Sequence, residues 1–152
     1  MQTKKVRKDL ELFDPGNKRI WMYWHQGWDS APELVKFCML TWIYHNDDWS
    51  VELLSQYNLN DFITLPNYCA DHDVALPALS DIIRIYLLEK YGGVWADATT
   101  WCSRPLSDWV NVAVTPSGFF AYDKPAPDRP IASWFLVAPD CAARISLISH
   151  AG

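Results

Sequence analysis

No apolar run in the 152 residues approaches the ~20 consecutive residues that a membrane-spanning helix needs. The polar start also lacks the h-region of a secretory signal, so a cytosolic location is the expectation. No CxxC pair occurs among Cys38, Cys69, Cys102 and Cys141. That disfavours a zinc site, and without a secretory signal the four read as reduced thiols. Basic residues are outnumbered by acidic ones, 13 to 18, for a net charge of −5. This argues against nucleic-acid backbone binding, which needs a basic stripe. The one basic cluster, Lys4, Lys5, Arg7 and Lys8, reads as a solvated tail; the alternative is contact with an anionic membrane, at its inner face. Internal repeats and low-complexity segments are absent as well.

What remains is globular. Half the residues are hydrophobic and 20% are charged, a composition of packed domains rather than disorder. The length suits one domain, which would bury roughly 70% of its unfolded surface. Nine tryptophans stand out. Indole fills cores and also offers a flat platform to sugars and bases. Trp21, Trp42, Trp49 and Trp134 read as core, whereas Trp24, Trp28, Trp95 and Trp101 flank the site proposed below.

Residues 1–17 read as a polar tail ending in the turn signal Asp14-Pro15-Gly16-Asn17, and 18–152 as one domain. Arg19 to Trp24 is apolar on both faces, as in a buried parallel strand. Ser30-Ala31-Pro32-Glu33 reads as a capping box opening a helix. Leu34, Phe37, Cys38, Thr41 and Trp42 then recur at helical spacing, with a stop near Asn46-Asp47-Asp48. Val51 to Leu54 follows as a second strand, completing a β-α-β start with a right-handed crossover. Residues 55–79 read as loop with one short helical turn. Ser80 is the expected cap of a largely buried helix, Asp81 to Tyr91, ended by Gly92-Gly93 with the first glycine left-handed. Val94 to Ala96 forms a short strand ending at Asp97. Two further strands, Gly118–Tyr122 and Ser133–Val137, flank a proline-rich loop, and Asp140 could cap a terminal helix.

Asp81 and Arg84 lie three apart, hence on one face of an otherwise apolar helix. A buried charge needs a partner, so one reading is a mutual salt bridge, with Asp81 also favoured by the helix dipole. The other is a ligand site, Asp81 accepting from sugar or ribose hydroxyls and Arg84 meeting a phosphate. Asp97 is either a turn aspartate or a ligand group, for it ends a strand where open α/β sheets bind ligands. His25 reads as a hydrogen-bonded loop histidine, and His45, His72 and His150 show no ligand spacing.

Ser80-Asp81, Arg84, Gly92-Gly93-Val94-Trp95 and Asp97-Ala98-Thr99 together resemble the core motif of the capsular polysaccharide synthesis proteins. These are relatives of glycosyltransferase family 32 and its DXD sugar transferases. Ile20 to Trp28 with Ala31-Pro32-Glu33 is similar to that family's first strand and loop, and Ser117–Tyr122 and Ile131–Phe135 to its later segments. The resemblance runs from about Lys18 to about Arg144. It implies a GT-A (Rossmann-like) α/β fold, its central sheet mostly parallel and flanked by helices. It also implies sugar transfer from a nucleotide-diphosphate-sugar donor to a glycan acceptor, in capsular or other surface polysaccharide synthesis. By the same resemblance Trp24 stacks on the nucleobase; Asp81, Arg84, Trp95 and Thr99 bind the donor; and Asp97 is the catalytic first carboxylate of the motif, near donor and metal. The implied cofactor is Mn2+ or Mg2+, which would stabilise the leaving diphosphate.

Two departures qualify these expectations. Thr99 stands where a DXD motif ends in a second aspartate, and a neutral hydroxyl is a poor ligand for a hard cation. The chain is also shorter than GT-A enzymes, so it reads as the N-terminal portion of a longer one. The competing readings are a truncated, non-catalytic nucleotide-binding remnant and a carbohydrate-binding module.

Overall fold

A computed structural model describes Phe13 and residues 16–69 and 74–139. Five strands form one sheet in the order β2-β1-β3-β5-β4: β1 Arg19–Tyr23, β2 Ser50–Leu54, β3 Gly93–Ala96, β4 Phe120–Ala126 and β5 Arg129–Ala138. β1 pairs in parallel with β2 and with β3, while β5 runs antiparallel to both β3 and β4. The α/β class and the parallel core are as expected. Ile20 through Tyr23 and Gly93 through Ala96 are buried on both faces, the reason these strands read as continuous apolar runs rather than alternating ones.

Helix α1, Glu33–His45, joins β1 to β2, and α2, Leu76–Tyr91, leads into β3; a short α3 spans Val110–Val114. The chain moves from β1 to β2 on one side, then returns past β1 to β3 on the other. Right-handed crossovers in opposite directions place α1 and α2 on opposite faces. Two cores result. Trp42 of α1 packs with Ile20, Met22, Val94 and Phe135, and Ile83 and Leu87 of α2 pack with Trp21, Tyr23, Trp95 and Leu136.

Several expectations are corrected. Ser30 does not cap α1: Trp28–Ser30 is a 3-10 turn, and Pro32 occupies the N-cap position. The buried face of α1 is Val35, Cys38 and Trp42, with Leu34 and Phe37 exposed. Apolar residues surround this helix, so periodicity alone could not choose its inner face; the Trp42 indole does, donating to Thr100 O at 2.9 Å. Helix α2 starts at Leu76, four residues before Ser80, with Pro77 in its first turn, where a missing N–H costs nothing. Residues 59–61 and 67–69 each form a 3-10 turn, where one turn was expected.

The proline-rich loop is mostly strand. β4 and β5 form a hairpin turning at 127–128, and its prolines sit at the sheet edge, where a missing donor is tolerated. Pro130 lies in the part of β5 beyond its pairing with β3, which begins at Phe135. Trp134 is therefore not core: it is 39% exposed and stacks on Tyr122 across the hairpin, ring centroids 5.0 Å apart. Phe13, within the stretch read as a polar tail, is buried against Trp49. Cys38, Cys69 and Cys102 are free thiols; Cys141 and the expected Asp140 cap lie outside the described residues. Among those residues no helix is long and apolar enough to cross a membrane.

The double glycine is required sterically. Gly92 takes φ +68 and caps α2 through its N–H to Leu88 O, and Gly93 takes φ +104. A Cβ on Gly93 would sit 2.5 Å from Arg19 O, a backbone atom held in the sheet. Gly93→Ala is expected to cost about 2 kcal/mol or more, from the left-handed backbone and the overlap together. Thermal melting of the variant measures it.

Candidate functional site

The return of the chain past β1 makes a topological switch point between β1 and β3, and open α/β sheets bind ligands outside the carboxyl ends of strands at such points. A cleft of about 810 Å³ opens there. Its walls are Tyr23 to Gln26 after β1, Asp97 to Thr99 after β3, the first turns of α2, and the start of β5. Asp81, Arg84 and Asp97 all line it. The mutual salt bridge of the helix pair forms, and the same two side chains line the cleft.

Arg84 is 5% exposed and anchors the floor. Its Nε donates to Ser80 O at 3.1 Å, Nη1 donates to Ser133 O, and Nη2 lies 3.2 Å from Asp81 Oδ1 and 3.5 Å from Asp97 Oδ1. The guanidinium also lies over the Trp95 ring, 5.0 Å from its centroid. All three nitrogens thus have partners, and Arg84 ties α2, β3 and β5 together. Trp95 is 1% exposed and supports the site from beneath, its Nε1 donating to Asp97 Oδ1 at 2.6 Å.

Asp97 is fixed by its backbone too. Its N–H donates to Trp134 O at 2.9 Å, and its carbonyl accepts from the N–H and the hydroxyl of Thr100 at 2.9 and 2.6 Å, closing a turn that presents Thr99 at the surface. Burial raises the Asp97 carboxyl above its ordinary value; Arg84 and the Trp95 hydrogen bond pull it down, and Asp81 pushes it up again. Burial prevails. Oδ1 is engaged, while Oδ2 has no partner among the described residues and is the oxygen left for a ligand.

Trp24 lines the cleft at the end of β1 and is half-buried. His25 is a hydrogen-bonded loop histidine, its Nδ1 2.7 Å from the Tyr23 hydroxyl, and burial pushes Tyr23 up to about 12. Trp28 and Trp101 lie off the cleft. Trp28 donates to Leu54 O at 3.0 Å and packs beside Ala31, and Trp101 lines a second cavity. Sequence reasoning missed Asp128 and Arg129, which the hairpin brings to the cleft; read as loop, they carried no signal. Ile131, noted only within a segment of the family resemblance, also lines it. Among the described residues no group of three or more histidines, cysteines or carboxylates converges as a metal site.

Comparison with known proteins places the chain among glycosyltransferase relatives. The chain is 28% identical over 105 residues to the O-glycosyltransferase braB of Annulohypoxylon truncatum, covering 60% of this chain and 25% of that protein. It is 26% identical over 118 residues to the O-glycosyltransferase PaGT of Phomopsis amygdali, 69% and 29% of the two chains. To the putative glycosyltransferase HOC1 of Saccharomyces cerevisiae it is 27% identical over 106 residues, 64% and 26% of the two. The chain thus spans about a quarter of the length of these relatives. No solved structure matches. The capsular polysaccharide synthesis protein model matches residues 2–150, nearly the whole chain and every element around the cleft, and the chain belongs to that family.

Proposed function

We propose that the cleft binds a nucleotide-diphosphate sugar and that the protein transfers the sugar to a glycan acceptor in surface polysaccharide synthesis. The observation that carries the reading is the convergence of Asp81, Arg84 and Asp97 in one cleft, at the switch point. Trp24 offers an indole face to the base. Asp97 Oδ2 and the Asp81 carboxylate, itself 62% exposed, accept from ribose or sugar hydroxyls. Thr99, exposed on its turn, donates to the diphosphate.

Transfer builds positive charge at the anomeric carbon and negative charge on the departing diphosphate, and groups fixed in advance toward those charges lower the barrier. Arg84, with its nitrogens occupied, contributes a fixed positive field from the floor. Arg129, exposed on the cleft wall, is the guanidinium free among the described residues to meet the diphosphate.

The donor set does not fit a cation held by the protein alone. Hard cations take six or more oxygen ligands; here Asp81 and Asp97 both lie against the Arg84 guanidinium, Thr99 is neutral, and no three carboxylates, histidines or cysteines converge among the described residues. No step is therefore assigned to Mn2+ or Mg2+. Calorimetric titration with uridine and guanosine diphosphates tests both points. At least one should bind, and chelation should change its affinity by less than about threefold, below 1 kcal/mol. Absence of binding by both would remove the donor reading.

A further inference from the structure

A second cavity, of about 270 Å³, backs onto the first, just under the roughly 300–1,000 Å³ usual for ligand pockets. The floor is Trp42, Leu106 and Phe135, all buried. Its mouth is aromatic: Trp101, 62% exposed, stands edge-on to Phe37, and Trp134 is stacked on Tyr122. Arg104 stands on the rim beside Trp109. The indole N–H groups of Trp42 and Trp49 inside the fold are satisfied by Thr100 O and Ser107 Oγ. Those of Trp101, Trp109 and Trp134 have no partner among the described residues.

The two cavities share a wall. Thr99 lines the cleft and Thr100 the second cavity; Ser133 lines the cleft and Trp134 the second cavity. The hydrogen bond from Asp97 N–H to Trp134 O crosses that wall. From Asp97 to Trp101 is four residues, at most about 15 Å of chain.

We infer that this second cavity is a saccharide subsite, which holds the part of an acceptor glycan remote from the reacting hydroxyl. The term acceptor rests on the proposed transfer reaction; saccharide binding rests on the cavity alone. A pyranose has an apolar face of C–H groups and a rim of hydroxyls. Aromatic faces cover the first, and indole N–H and guanidinium donors meet the second. Among the described residues no carboxylate lines the cavity and Arg104 does, so neutral and acidic sugars both suit it. Its position next to Asp97 is what a glycan extending from the cleft would reach.

The test uses the whole chain, titrated by saturation-transfer NMR and indole fluorescence with neutral gluco-, galacto- and manno-configured tetrasaccharides and one containing glucuronate. At least one should bind saturably. Trp134→Ala and Trp101→Ala should each weaken it about tenfold, with nucleoside-diphosphate affinity unchanged, since neither side chain lines the cleft, and with the melting temperature lowered by only a few degrees for the lost ring contact. No saturable binding by any of the four, or binding indifferent to both substitutions, overturns the subsite. A dimer seen by light scattering and lost in Trp134→Ala also overturns it, because the face is then a seat for protein. A chain that binds a tetrasaccharide through Trp134 but no nucleoside diphosphate keeps the subsite and removes the donor reading; the two proposals fail separately.

Discussion

Asp97→Asn is expected to leave the protein folded and to lower sugar transfer about 100-fold or more, equivalent to about 3 kcal/mol at the transition state. The substitution keeps the size of the side chain and one carbonyl oxygen for the Trp95 indole, and removes the charge. Burial already disfavours that charge, outweighing the pull of Arg84. The sign for stability follows. A carboxyl whose folded pKa lies above its unfolded value stabilises the fold in acid, below the ordinary value of 3.8, and loses that contribution as pH rises through the folded value. At neutral pH the asparagine variant should therefore melt at the same temperature as the parent or slightly above it, and the difference should shrink as the solution is acidified. Melting curves across that range, beside transfer rates, are the measurement. A lowered melt with activity in proportion to the folded fraction would reduce Asp97 to a structural turn residue.

The legible parts of the fold were those whose chemistry is local. β1 and β3 read as parallel strands because both their faces are buried, and the end of α2 read correctly because only glycine meets the backbone of Arg19 and Ala138 at that distance. The start of α2 was hidden because Leu76-Pro77 resembles loop until a helix is built through it. The hairpin was hidden for a similar reason: Pro125 and Pro130 argue against strand, yet an edge strand needs no donor there. The inner face of α1 was undecided, since Leu34, Phe37 and Leu40 are as apolar as the residues it buries.

The site was half legible. Asp81, Arg84 and Asp97 stand out as charges in apolar surroundings, and such groups need a reason. Their mutual geometry was not legible, because two partners of Arg84 are backbone carbonyls and any residue type supplies one. Ser133 lies 49 residues along the chain. Only the antiparallel docking of β5 on β3, which the sequence does not announce, brings it under the guanidinium. The second cavity was invisible for the same reason, as Trp134 looked like core until the hairpin carried it past the edge of β3.

Removal of Arg84 should be the most damaging single truncation at the site. In Arg84→Ala the carboxylates of Asp81 and Asp97 lose their shared counter-charge, the carbonyls of Ser80 and Ser133 lose their donor, and the Trp95 ring loses the cation over its face. Breaking a buried ion pair by removing one partner costs about 3–5 kcal/mol. Asp81 is mostly exposed and recovers solvation, so the lower end of that range applies. A domain of this size shifts by about 2–4 °C per kcal/mol, so the melt should fall by roughly 6–12 °C. Arg84→Lys keeps the charge but cannot hold α2, β3 and β5 with one ammonium in place of a planar fork, and it should recover part of the stability at most. The Asp97 carboxyl reports the difference: with its nearest cation gone, its pKa should rise further in Arg84→Ala and less in Arg84→Lys, read by carbon-detected NMR of the side chain. An alanine variant that melts like the parent, with Asp97 titrating unchanged, would show that the guanidinium neither braces the three elements nor sets the field at Asp97.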